Sequence, residues 1–100
     1  VIRATSTTAP TGSTQSIDFQ SKTVGIFQID YTSASTPLTL SVSNPVNGGV
    51  YTFHHRNVTN QGVTYPGTFF SAAGVALSTV TYTADDFLTC YFDGTNYYCK

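Results

Sequence analysis

Asp86-Phe87-Leu88-Thr89-Cys90-Tyr91-Phe92-Asp93-Gly94-Thr95-Asn96-Tyr97-Tyr98-Cys99-Lys100 reads as a β-hairpin. Aromatic and apolar residues run up to Asp93-Gly94, and two tyrosines and a cysteine follow Asn96. Asp-Gly marks a tight turn because both residues tolerate the positive φ that such turns require. Two registers are open. A four-residue loop, Asp93 to Asn96, pairs Phe92 with Tyr97, Tyr91 with Tyr98 and Cys90 with Cys99. A two-residue loop, Asp93-Gly94, sets Cys90 against Tyr97 and Cys99 against Leu88. The first is favoured because it gathers Leu88, Cys90, Phe92, Tyr97 and Cys99 on one face, which is then buried as a unit.

Outward from the hairpin, the chain keeps the strand period of two. Ile17 and Phe19 alternate with Asp18 and Gln20, and Gln20-Ser21-Lys22 reads as a turn. Val24 to Tyr31 predicts a strand with Phe27, Ile29 and Tyr31 on one face and Val24, Ile26, Gln28 and Asp30 on the other. Leu38, Leu40 and Val42 alternate with Thr39 and Ser41 after Pro37. Asn44-Pro45 and Asn47-Gly48-Gly49 are turn signals. Val50 to Arg56 predicts a strand, Val63 to Tyr65 a short one and Thr79 to Thr83 another. Ser71 to Leu77 is the one stretch expected to hold a helical turn. Strand-sized runs at this spacing predict an all-β fold, an antiparallel β-sandwich or a jelly-roll-like barrel. No internal repeat is visible. Residues 1–16 carry nothing large and apolar after Val1-Ile2-Arg3, so they are expected to form a flexible N-terminal arm or linker, anchored through Val1 and Ile2. A single all-β domain is expected over 17–100.

One hundred residues make one small domain, whose surface gains from a partner. The chain has four basic and five acidic residues, none of them Glu, and a net charge of −1. That leaves no electrostatic case for nucleic acid or an anionic membrane, both of which need clustered Lys or Arg. No run of about 18 apolar residues predicts a membrane-spanning helix. Val1-Ile2-Arg3 lacks the apolar region of a signal peptide. Neutral Thr, Ser and Asn surfaces suit a protein that works outside cells or one covered by identical neighbours.

The candidates for chemistry are few. His54 and His55 are adjacent, so on a strand they point to opposite faces and do not share a metal. Asp85-Asp86 is the only carboxylate pair; a glycosidase needs two carboxyls roughly 5 to 9.5 Å apart across a cleft, and strand neighbours diverge. No Ser-His-Asp or Cys-His motif is present. The chain is therefore expected to be non-catalytic, without metal or cofactor. Cys90 and Cys99 are a candidate disulfide closing a loop of about ten residues, or else two buried thiols. Seven Tyr and seven Phe exceed what a core of this size encloses. Tyr65, Tyr97, Tyr98 and Asn96 are accordingly candidates for a binding surface.

The hairpin carries a family resemblance. Phe92-Asp93-Gly94-Thr95-Asn96-Tyr97-Tyr98 resembles the YDGTNWY ending of small β-rich domains in bacteriophage tail and head fibre proteins. Asn44-Pro45-Val46-Asn47-Gly48-Gly49-Val50-Tyr51-Thr52-Phe53 and Gly62-Val63-Thr64-Tyr65-Pro66 match the same pattern in the same order, so the resemblance covers roughly residues 15 to 100. This chain departs from it in Cys90 and Cys99 and in lacking a Trp where Tyr97-Tyr98 stand. The resemblance implies a virion structural module, a fibre, spike or capsid-decoration domain displayed on the particle surface for attachment, assembly or host-surface contact. It also implies a homotrimer, joined to other virion proteins through the N-terminal arm. Tyr51, Phe53 and Tyr82 are the expected interface residues. The rival is a secreted carbohydrate-binding β-sandwich that stacks Tyr and Asn on a glycan.

Overall fold

The computed structural model describes residues 4–100; the expected anchor Val1-Ile2 lies outside them. Ten strands follow one another: β1 (Ala4–Thr8), β2 (Thr14–Asp18), β3 (Val24–Asp30), β4 (Leu38–Ser43), β5 (Val50–Arg56), β6 (Gln61–Thr64), β7 (Phe69–Ser71), β8 (Thr79–Tyr82), β9 (Asp86–Phe92) and β10 (Tyr97–Cys99). They form two sheets, one of six strands in the order β1-β3-β5-β9-β10-β7 and one of four in the order β2-β4-β6-β8. No helix occurs among the described residues; the expected helical turn at 71–77 is a loop that doubles back to bridge Phe70 with Ala76.

The first six strands alternate between the sheets. β1, β3 and β5 pair in parallel in one sheet, and β2, β4 and β6 pair in parallel in the other. Each strand thus stacks on the strand two places earlier, and the chain winds as a β-solenoid. The expected antiparallel sandwich or jelly roll is corrected to this winding. Alternating hydrophobicity reports which face of a strand is buried; it does not report which strand lies alongside. The winding ends where the chain reverses: β8 runs antiparallel to β6, β9 runs antiparallel to β5, and β10 folds back on β9.

The corners are the repeat that composition hides. Phe19 N donates to Ser43 O (2.9 Å) and Ser21 N to Asn44 O (3.0 Å), so the corner after β2 lies on the corner after β4. Asp18 Oδ1 accepts from Gln20 N at 2.7 Å and from Asn44 Nδ2 at 2.9 Å. On the other side Tyr31 N donates to Arg56 O (3.0 Å). Asp30 Oδ1 accepts from Thr32 N (2.9 Å) and Thr32 Oγ1 (2.6 Å), and its carboxyl is held down at about 2, the Thr32 hydroxyl contributing most and the Asn57 side chain next. Asn44 and Asn57 both turn with positive φ, at 55° and 56°, a conformation Asn adopts more readily than most residues. Asp18 thus ties Asn44 in the next coil, and Asp30 lies near the Asn57 side chain at the other corner.

The first coil corrects the expected arm. Residues 4–8 and 14–18 are strands, held by pairing along β3 and β4. In this coil Ile17 is buried, while inward Ser6, in register with Phe27, stays exposed. Between the sheets lie Phe27, Ile29, Tyr51, Phe53, Phe69 and Cys90 from one side and Ile17, Leu38, Leu40 and Val63 from the other. Phe19 fills a corner, its ring stacked on Tyr51 at 4.0 Å.

Candidate functional site

The hairpin adopts the four-residue-loop register: Phe92 opposite Tyr97, Tyr91 opposite Tyr98 and Cys90 opposite Cys99. Asp93 Oδ1 closes the loop by accepting from Thr95 N (2.9 Å) and Asn96 N (2.8 Å). Thr89 and Lys100 exchange backbone hydrogen bonds, which makes Cys90–Cys99 the close, non-hydrogen-bonded kind of pair. Their Cα atoms are 4.0 Å apart and the sulfurs are bonded. The disulfide is buried beneath Tyr91 and Tyr98, which point the other way.

His54 and His55 separate as strand geometry requires. His55 points inward, is fully buried, and sits in a chain of hydroxyls: Nδ1 to Tyr31 Oη at 2.7 Å, Nε2 to Tyr65 Oη at 2.9 Å, and Tyr65 Oη to Tyr82 Oη at 2.6 Å. A neutral imidazole has one donor and one acceptor nitrogen, so it gives a hydrogen bond to one tyrosine and takes one from the other. Burial drives the His55 pKa down to about 4, and Asp86 on the facing strand offsets this only in part. The same burial raises Tyr31, Tyr65 and Tyr82. The chain crosses the core and links β5 to the residues that follow β3 and β6 and to the last residue of β8. It holds no nucleophile or exposed proton donor, and no pocket opens onto it among the described residues.

The carboxylates serve local structure. Asp85 Oδ1 accepts from Val58 N (2.9 Å) and Asp86 Oδ1 from Phe87 N (2.8 Å). Among the described residues no three His, Cys, Asp or Glu side chains are grouped to hold a metal.

The sequence-predicted interface residues are in the core. Tyr51 and Phe53 are wholly buried and Tyr82 is 8 % exposed, so none reaches a partner. Tyr51 Oη donates to Lys22 O (2.6 Å) and accepts from Val46 N (2.9 Å), fastening a corner from within. Of the expected binding-surface residues, Tyr65 and Tyr97 are also buried, while Tyr98 and Asn96 are half-buried. The outward face of β5 is one residue out of phase with that expectation: inward Tyr51 and Phe53 leave Val50, Thr52 and His54 outside.

What the surface does present is an apolar row across the outer side of the six-stranded sheet. The register places Val24, Val50, Tyr91, Tyr98 and Phe70 side by side on five adjacent strands. Phe70 stacks on Tyr98 (5.8 Å) and Tyr98 lies 6.5 Å from Tyr91. Two further rows run beside it, Ile26-Thr52-Thr89 and Gln28-His54-Phe87, with the Phe87 ring stacked on His54 at 4.1 Å. Phe87 is 59 %, Tyr91 48 % and Val50 38 % exposed; among the described residues Val75 is the one other large exposed apolar side chain, and it lies elsewhere. Alternation along β9 contained this signal, since Leu88, Cys90 and Phe92 inside put Phe87 and Tyr91 outside. The opposite face, on the four-stranded sheet, is hydroxylated: Thr14, Ser16, Thr39, Ser41, Thr79 and Thr81 all point to water.

No family model, curated protein or solved structure compared with this chain matches it.

Proposed function

We propose that the chain is a virion structural module of a bacteriophage, a fibre, spike or capsid-decoration domain displayed on the particle surface. One observation carries the reading: a solenoid without a pocket among its described residues places an apolar row on one broad face. Such a body works by surface contact and not by catalysis. The phage assignment itself rests on the hairpin resemblance. The module assembles as a homotrimer, and symmetric closure ends its growth at a finite size. Among the described residues β1 and β2 are edge strands of their sheets, and another virion protein would stack there. The buried disulfide suits a particle that meets an oxidising exterior.

Light scattering of the purified protein at micromolar concentration tests the reading. The expected result is three times the chain mass, with more than about 1,000 Å² buried at each contact. A clean monomer refutes the assembly and favours the rival, a secreted carbohydrate-binding module. The rival draws on the same row, since Phe70, Tyr98 and Tyr91 also offer rings to a sugar; it predicts monomeric protein retained on a glycan array.

A further inference from the structure

We propose that β8 is an acid-released edge strand, latched to the solenoid at neutral pH by the Tyr82 side chain lying over His55. The proposal stands apart from the virion reading and from the trimer.

β8 is held from one side. It is an edge of the four-stranded sheet and, among the described residues, pairs with β6 alone. Thr79 and Thr81 point to water, Val80 is half-buried, and Tyr82 is the one buried side chain of the strand. A strand with so few buried contacts opens more easily than the rest of the fold. Its anchor sits on the buried histidine. The Tyr82 ring lies 4.4 Å from the His55 ring, and the Tyr82 hydroxyl ends the chain that runs through Tyr65 to His55. At 8 % exposure Tyr82 is also the outermost member of that chain, so it is the lid between His55 and water. Tyr31 and Tyr65 are fastened more deeply: Tyr31 N donates to Arg56 O (3.0 Å), and the Tyr65 ring stacks on buried Phe69 at 5.6 Å.

The closed arrangement suits a neutral imidazole. Hydroxyls occupy both ring nitrogens, Tyr31 at Nδ1 and Tyr65 at Nε2. A second proton makes both nitrogens donors, so one tyrosine must turn from giving a hydrogen bond to accepting one. The cation would also lack a counter-charge in contact. The titratable groups around His55 are the three tyrosines, His54 on its own strand and Asp86 opposite it on β9. His54 turns outward, Asp86 Oδ1 accepts from Phe87 N (2.8 Å), and neighbouring Asp85 Oδ1 accepts from Val58 N (2.9 Å). An imidazolium here is a buried, unpaired charge that needs water. Swinging Tyr82 away admits that water. Proton uptake and detachment of β8 are therefore linked: the proton binds the open form and shifts the population toward it.

Native-state hydrogen exchange of the full chain at pH 7 and pH 5, in low urea and corrected for the intrinsic pH dependence of exchange, tests the latch. The expected result is that amides of β6 and β8 exchange through an opening cheaper than global unfolding and nearly independent of urea, because little surface is exposed. With His55 titrating at 6.5 in the open form and at about 4 in the closed one, that opening grows about twentyfold between the two pH values. Asp86→Asn should keep the rise, which an origin in that carboxylate would abolish. His55→Gln should keep the local opening and lose its pH dependence. Wild type decides the matter even where a variant fails to fold. Amides of β8 that exchange only together with the slowest amides of β5 and β9 overturn the latch, and so does a local opening equally populated at both pH values.

Discussion

Acidification should weaken this protein through His55, and by an amount that can be worked out. The side chain is fully buried between Tyr31 and Tyr65, and burial depresses its pKa from 6.5 to about 4. In the unfolded chain the imidazole takes up its proton near 6.5. Between those values the unfolded state binds more protons than the folded one, so stability falls as pH falls. The contribution is fully present above pH 6.5 and is gone once the pH has passed through about 4. A depression of about 2.5 units at 1.36 kcal/mol each is about 3 kcal/mol, a large share of what a domain of this size possesses. The steepest slope approaches 1.4 kcal/mol per pH unit. Asp18, Asp30 and Asp93 also titrate below their usual value, because hydrogen bonds hold them ionised. Their contribution starts to fall below about pH 5, as the unfolded carboxyls take up protons, so the range from pH 6.5 to about 5 reports His55 alone. Urea unfolding followed by circular dichroism at half-unit steps from pH 7.5 to pH 4 measures the effect. His55→Gln, which hydrogen-bonds without titrating, should cost stability at pH 7 and show a much flatter profile. A wild-type slope that is flat between pH 6.5 and 4.5, or one that His55→Gln reproduces, refutes the reasoning.

Two further predictions concern covalent and steric closure. Replacing Cys90 and Cys99 by Ser removes a bond spanning nine positions and should cost about 2.5 kcal/mol on the loop-closure relation, read as a lower urea midpoint that wild type matches when reduced. An undiminished midpoint would show that the staple contributes nothing. Gly49→Ala should destabilise by about 2 kcal/mol, since the added Cβ would lie 2.7 Å from the Tyr51 ring and 2.8 Å from Val46 O. The double variant Gly49→Ala/Tyr51→Phe removes the hydroxyl from that clash. Its cost should therefore be less than the sum of the two single changes, and strict additivity in thermal melts would argue against the crowding.

The sequence by itself determined strand content, most strand positions and the hairpin with its register. These are local properties: alternation of apolar residues, Asp-Gly at the tip, and a loop length that aligns Cys90 with Cys99. It also separated His54 from His55, because neighbours on a strand always diverge. Tertiary structure decided which strands pair. Parallel stacking of β1, β3 and β5 joins residues that no short-range signal connects, and the Asp18–Asn44 corner tie appears only when the coils are superimposed. The first coil is not legible in the sequence because its strands, Ala4–Thr8 and Thr14–Asp18, hold a single large apolar residue, Ile17. The choice of face on β5 was likewise tertiary. Tyr51-Thr52-Phe53 alternates equally well either way round, and it is the Lys22 and Val46 backbone, reached across the core by the Tyr51 hydroxyl, that turns the aromatics inward. That same turn leaves Val50 beside Tyr91 on the outside of the six-stranded sheet.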